Sequence, residues 1–129
     1  MIFLDSTYII GLIIKKDNYT SKSLKLEPII ECEKKLINNT VFNEVLNSLT
    51  ATNSDYDADT LSSLLLSYEI VFLNADDYAE SISLFKYYNY SVNFSDCTIL
   101  NTMIKHKVDT IVSFDSDFDK INGIHRIHV

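Results

Sequence analysis

Residues 93–121, NFSDCTILNTMIKHKVDTIVSFDSDFDKI, decide how the whole chain reads. After Asp96 the apolar residues Ile99, Leu100, Met103 and Ile104 recur at intervals of three and four, which predicts a helix over Asp96 to Lys105. The run Thr110 to Phe114 follows as a strand, and an acidic turn at Asp115, Asp117 and Asp119 closes the segment. A helix that feeds a strand and ends in carboxylates suggests a crossover unit with its polar groups beyond the strand's carboxyl end.

The same alternation extends outward. Ile2 to Leu4, Ile70 to Leu73 and Ile124 to Val129 read as further strands. Ile2 to Leu4, Ile70 to Leu73 and Thr110 to Phe114 lack polar alternation, as strands covered on both faces do. Helical spacing is expected from Glu27-Pro28 to about Asn38, with Pro28 in the first turn, and after a Thr40 cap along Val41, Val45, Leu46 and Leu49. Tyr56 to Leu66 and Asp77 to Tyr88 complete the helices, besides one that opens near Ser6. The expectation is an α/β fold of three layers, a short central parallel sheet flanked by helices, built as one domain over residues 1–129.

Composition narrows the function. A chain of 129 residues that is 47% apolar can form a core without metal or disulfide staples. Eleven basic against 18 acidic residues give a net charge of −7, which argues against nucleic-acid binding through a broad cationic surface. An anionic substrate then needs a local basic strip or bound cations. Lys15, Lys16, Lys22 and Lys25 are candidates for the strip, with Tyr19 beside them able to stack on a base. No stretch reads as a base-recognition device. Cys32 and Cys97 fit neither a zinc site nor a disulfide framework, which makes the cytoplasm the expected compartment. The apolar opening MIFLDSTYIIGLII is shorter than the roughly 20 residues a spanning helix needs and carries Asp5, so no membrane segment is expected.

Four acids stand where ligands bind in open α/β sheets. Asp5 follows the first strand, where it either caps the next helix or faces a site. Asp115 follows the strand Thr110 to Phe114, as turn former or ligand. Asp96, in a first helical turn that Ser95 is placed to cap, lies on the face that carries Ile99 and Leu100 and so turns inward. Glu44, in VFNEVLNSL, is the weakest on spacing alone. Clustered carboxylates repel, and a divalent ion that prefers oxygen ligands resolves the conflict.

These passages, with IFLDST, TVFNEVLNSL and the closing HRIHV, resemble the PIN-domain ribonucleases, in particular the VapC-like toxins of bacterial and archaeal toxin–antitoxin pairs. The resemblance spans nearly the whole chain. It implies a Mg²⁺- or Mn²⁺-dependent endoribonuclease that leaves 5′-phosphate products, acts as a homodimer and is neutralised by a small antitoxin. It implies catalytic residues at Asp5, Glu44, Asp96 and Asp115, and metal ligands at Asp5, Asp96, Asp115 and Asp117, with Asp115 and Asp117 competing for the fourth position. Ser6, Thr7 and Ser113 match the small hydroxyl residues found near the first and last acids. Phe114 departs from the pattern, since relatives often carry a smaller or more polar residue there.

Other chemistries fit less well. Asp115, Asp117 and Asp119 would begin a calcium loop, but Lys120 and Arg126 stand where glycine and glutamate are required. His125 and His128 lie on opposite sides of a strand, and His106 suits a helix end. Gly11 and Gly123 are too few for a phosphate loop or a nucleophile elbow. Two alternatives remain: a catalytically inactive PIN-like RNA- or protein-binding module, and a metal-dependent α/β phosphatase with Asp5 as nucleophile. The latter usually carries an aspartate where this chain has Thr7.

Overall fold

The structure is a computed structural model, and it describes residues 1–14, 19–50 and 57–129. Five parallel strands form one sheet: β1 (Ile2–Leu4), β2 (Lys35–Asn38), β3 (Glu69–Val71), β4 (Thr110–Val112) and β5 (His125–Ile127), in the order β3-β2-β1-β4-β5. Phe3 pairs with Leu36 on one side and Ile111 on the other. Phe3, Leu4, Leu36, Ile37, Ile111 and Val112 are fully buried, so both faces of the three inner strands are covered. The outer strands begin at the exposed Glu69 and His125.

Helices α1 (Ser6–Ile13) and α2 (Thr20–Ile30) link β1 to β2, while α3 (Asn39–Asn47) and α4 (Ala58–Leu66) link β2 to β3. The chain then reverses direction across the sheet through α5 (Ala75–Tyr87) and α6 (Phe94–Lys105) to reach β4 on the far side of β1. Parallel crossovers are right-handed, so connections running in opposite directions lie on opposite faces. The reversal falls between β1 and β4, and the carboxyl ends of strands at such a switch point are where ligands bind in open α/β sheets. Ser23 donates to the Tyr8 carbonyl at 3.0 Å where α2 crosses α1, and a Cβ at Gly11 would collide with that hydroxyl, so the seam requires glycine.

Several local expectations are corrected. Residues 27–38 are not one helix: α2 starts at Thr20, Pro28 sits near its end, and Lys35–Asn38 is a strand. The inward positions Ser23, Leu26 and Ile30 carry the helical period, whereas Leu36 and Ile37 are too short a run for periodicity to classify. Pairing with β1 and β3 decides the matter. Asn38, not Thr40, caps α3, and Asn93, not Ser95, caps α6; each accepts from the amide three residues on, at 3.2 and 2.8 Å. Ile104 points outward rather than into the core. The fourth helix begins after an Asp57 cap, and Tyr56 lies outside the described residues. Lys15 and Lys16 of the expected basic strip also lie outside them; Lys22 and Lys25 are exposed. Tyr19 stacks on Phe114 at 4.7 Å with Lys22 above its ring. Among the described residues no helix is long and apolar enough to cross a membrane.

Candidate metal centre

The β1–β4 switch point collects the acids that the sequence scatters over 111 positions. Asp5 leaves β1 in the N-cap position of α1, but its side chain does not cap. Its Oδ2 instead accepts from Ser113 Oγ at 2.6 Å and Thr7 Oγ1 at 2.9 Å. The capping role weighed for Asp5 is thereby overturned, and the carboxylate is tied to the residue that ends β4. The same two hydroxyls accept backbone amides, Phe114 N–H to Thr7 and Asp115 N–H to Ser113, and so shape the turn that carries Asp115.

Asp115 is a turn former and a site residue together: its Oδ1 accepts from the Asp117 amide at 2.9 Å and opens a 3₁₀ turn over Ser116–Lys120. Across from it, Asp96 projects from the first turn of α6 and is 7% exposed. One oxygen each from Asp96, Asp115 and Asp117 lie within 4.8 Å of one another. Asp5 is not in that trio, although its charge acts on both Asp96 and Asp115. Glu44, on α3, accepts from Ser6 Oγ at 2.5 Å and is half-buried.

The electrostatics are those of a site short of positive charge. Burial, followed by repulsion from Asp5, Asp115 and Glu44, pushes Asp96 up to about 8. Burial also raises Asp5, against the lowering effect of the Ser113 and Thr7 hydroxyls, and raises Glu44. Asp96 Oδ2 is buried and has no hydrogen-bond partner among the described residues. No ion pair among them involves Asp5, Asp96 or Asp115, and Lys120 reaches only the outer Asp117, at 3.0 Å. Three carboxylates within reach of one another, one of them with a buried unpartnered oxygen, are a donor set that fits a hard divalent cation.

Two supports were not apparent in the sequence. Asn38, fully buried at the end of β2, donates to Thr102 Oγ1 at 3.0 Å while capping α3, and so locks the helix of Glu44 to the helix of Asp96. Its only signal is a polar residue between an apolar pair and a helical period. Arg126 on β5 grips both oxygens of Asp119, at 2.8 and 2.9 Å, and donates to the Ser113 carbonyl at 3.2 Å. It braces the acidic turn from behind. His106 closes α6, Cys97 is buried with its thiol on the Val92 carbonyl, and neither approaches this geometry as a ligand.

A parallel sheet with carboxylates clustered beyond its switch point defines an α/β domain with an acidic candidate metal site. The sequence matches the PIN domain over residues 2–124, and the chain belongs to that family. No curated protein matches the sequence. Among solved structures, VapC20 of Mycobacterium tuberculosis, a sarcin-ricin loop cleaving toxin, superposes with a TM-score of 0.86 at 18% identity over 100% of both chains. A toxin–antitoxin complex from Klebsiella pneumoniae gives 0.71 at 20% identity, covering 96% of this chain and 95% of that one. VapBC2 from Rickettsia felis, bound to a DNA fragment from its promoter, gives 0.65 at 18% identity, covering 98% of each. The resemblance to VapC toxins thus extends to the full-length fold.

Proposed function

We propose that this chain is a Mg²⁺- or Mn²⁺-dependent endoribonuclease and the toxin of a VapBC-type pair. The reading rests on one observation above all, the clustering of Asp96, Asp115 and Asp117 around an Asp96 side chain whose buried Oδ2 has no hydrogen-bond partner among the described residues. Asp5, Asp96 and Asp115 would hold the metal, with Asp117 as an auxiliary or alternative to Asp115. When bound, one or two such ions supply Lewis-acid activation of water and neutralise charge at the scissile phosphate.

The chain's own groups have separable parts. Ser113 and Thr7 fix the rotamer of Asp5, so that its carboxylate meets the pocket at a set angle. Ser6 holds Glu44, whose raised proton affinity suits it to orient the attacking water and accept its proton. The excess acidity of the pocket repels RNA until cation binding reverses the local charge, which reconciles a net charge of −7 with an anionic substrate. Toxin–antitoxin complexes among the structural relatives support a small antitoxin as partner. Homodimer formation and action in the cytoplasm belong to the same proposal.

The test is cleavage of a mixed RNA pool with Mn²⁺, with chelator, and by the Asp96→Asn variant, alongside calorimetric titration of Mn²⁺ into each protein. Cleavage and Mn²⁺ binding by the wild type only are expected. Cleavage that persists in chelator or in the variant would overturn the metal assignment, and a wild type that binds Mn²⁺ without cutting would favour a binding module.

A further inference from the structure

Beside the acidic cluster, between α3 and the amino ends of α5 and α6, lies a concavity of about 270 Å³. Its walls include Asn43, Glu44 and Asn47 of α3, Tyr78 of α5, and Phe94 and Ser95 of α6. We infer that this concavity is a subsite for one unpaired nucleobase of the RNA strand flanking the scissile phosphate. In it the base stacks on the Tyr78 ring, and its edge hydrogen-bonds the Asn43 and Asn47 amides. The inference rests on the proposed nuclease reading and gives it a specificity element.

Five observations carry it. Glu44 is a wall of the concavity, and Ser6 anchors the same side chain on the side of the acids, so the two spaces share a residue. Ser95, another wall, immediately precedes Asp96. Tyr78 is 42% exposed, and its ring runs nearly parallel to Phe94, 14° apart at 6.1 Å, while Phe94 is wedged edge-on against Phe85 at 5.7 Å. A platform so supported loses little freedom when a base lies on it. Asn43 and Asn47 stand one turn apart on an exposed face, and neither side-chain amide bonds a described residue. Each offers an acceptor and two donors, the complement of a base edge. The walls hold one carboxylate and no lysine or arginine, which suits a neutral base and disfavours a phosphate.

The experiment uses the full wild-type chain with Mg²⁺ and short single-stranded RNAs with hydrolysis-resistant phosphorothioate linkages, in which an abasic residue is walked along the sequence; anisotropy reads binding. At one position the abasic residue should weaken binding about 10-fold, the order of one lost base stack. Tyr78→Ala should weaken the intact RNA by a similar factor and lose nothing more with that abasic RNA, whereas Tyr78→Phe should bind as the parent does. Asn43→Ala, an exposed change that spares the aromatic floor, should alter which base is preferred there. Additive losses, or Tyr78→Ala and Asn43→Ala that bind every RNA as the parent does, would overturn the subsite. The nuclease reading fails separately: a wild type that does not cut RNA, with the Tyr78 coupling intact, would mark an RNA-binding module.

Discussion

Asp77 and Asp96 are 5% and 7% exposed, and both stand in the first turn of a helix on the same connection between β3 and β4. Their surroundings are opposite. Asp77 completes a capping box with Asn74 and accepts Lys105 Nζ at 2.6 Å, and this bond holds its carboxyl below the usual range. Asp96 meets three other carboxylates, keeps one oxygen without a partner, and is pushed up to about 8. Burial of an acid therefore has two meanings in one fold. Where the chain supplies the counter-charge the aspartate is structural; where it withholds it, the aspartate is the candidate for a functional site.

Substitution should separate the two most sharply in activity. Asp96→Asn is expected to reduce metal-dependent RNA cleavage by more than about 100-fold, since even partners behind a metal ligand matter 10- to 100-fold, whereas Asp77→Asn should cleave as the wild type does once folded. Gel assays at matched folded fraction check both. Next in size, Mg²⁺ at ~100 times its dissociation constant should stabilise the wild type by about 2.7 kcal/mol in urea titrations and leave Asp96→Asn unmoved. In chelator the order of stability reverses: Asp77→Ala should lose about 1–2 kcal/mol through its cap, while Asp96→Asn matches or exceeds the wild type because like-charge repulsion is relieved.

The two acids also oppose each other in pH. The fold lowers Asp77, so its contribution is present above the ordinary carboxylate range and is lost as pH falls through it. The fold raises Asp96, so metal-free stability falls as pH rises from about 4 toward about 8. The advantage of Asp96→Asn over wild type in chelator should therefore grow across that window, by up to about 1.4 kcal/mol per pH unit for one proton. A difference independent of pH would show that Asp96 is not the titrating group. Smallest, Arg126→Ala should slow cleavage about 10-fold, as expected of a group behind the ligands, without abolishing Mn²⁺ binding by calorimetry.

Asp5, Asp96 and Asp115 were legible because each follows a strand or opens a helix, and strand ends in a parallel sheet share an edge. Glu44 was not legible from spacing, because its role depends on Ser6 reaching across from another helix. β2 was hidden because Leu36 and Ile37 are its only apolar residues, and the pairing that makes them a strand lies 33 residues away in β1, as between Phe3 and Leu36. Caps were displaced for a related reason. Asn38 and Asn93 stand three residues before the amides they cap, and Thr40 and Ser95 are also cap types, nearer to the residues that carry the helical period. Asn38 had a further role that no pattern marks, a bond to a residue 64 positions away.

The position of β1 in the sheet has a consequence for synthesis on the ribosome. β1 lies between β2 and β4, and β4 is translated long after it, at Thr110–Val112. Ser113, which orients Asp5, and Asp115 arrive only then. A nascent chain that ends before Thr110 lacks both β4 and the turn that carries Asp115, so Asp5 and Asp96 wait for that segment before the acidic cluster can form.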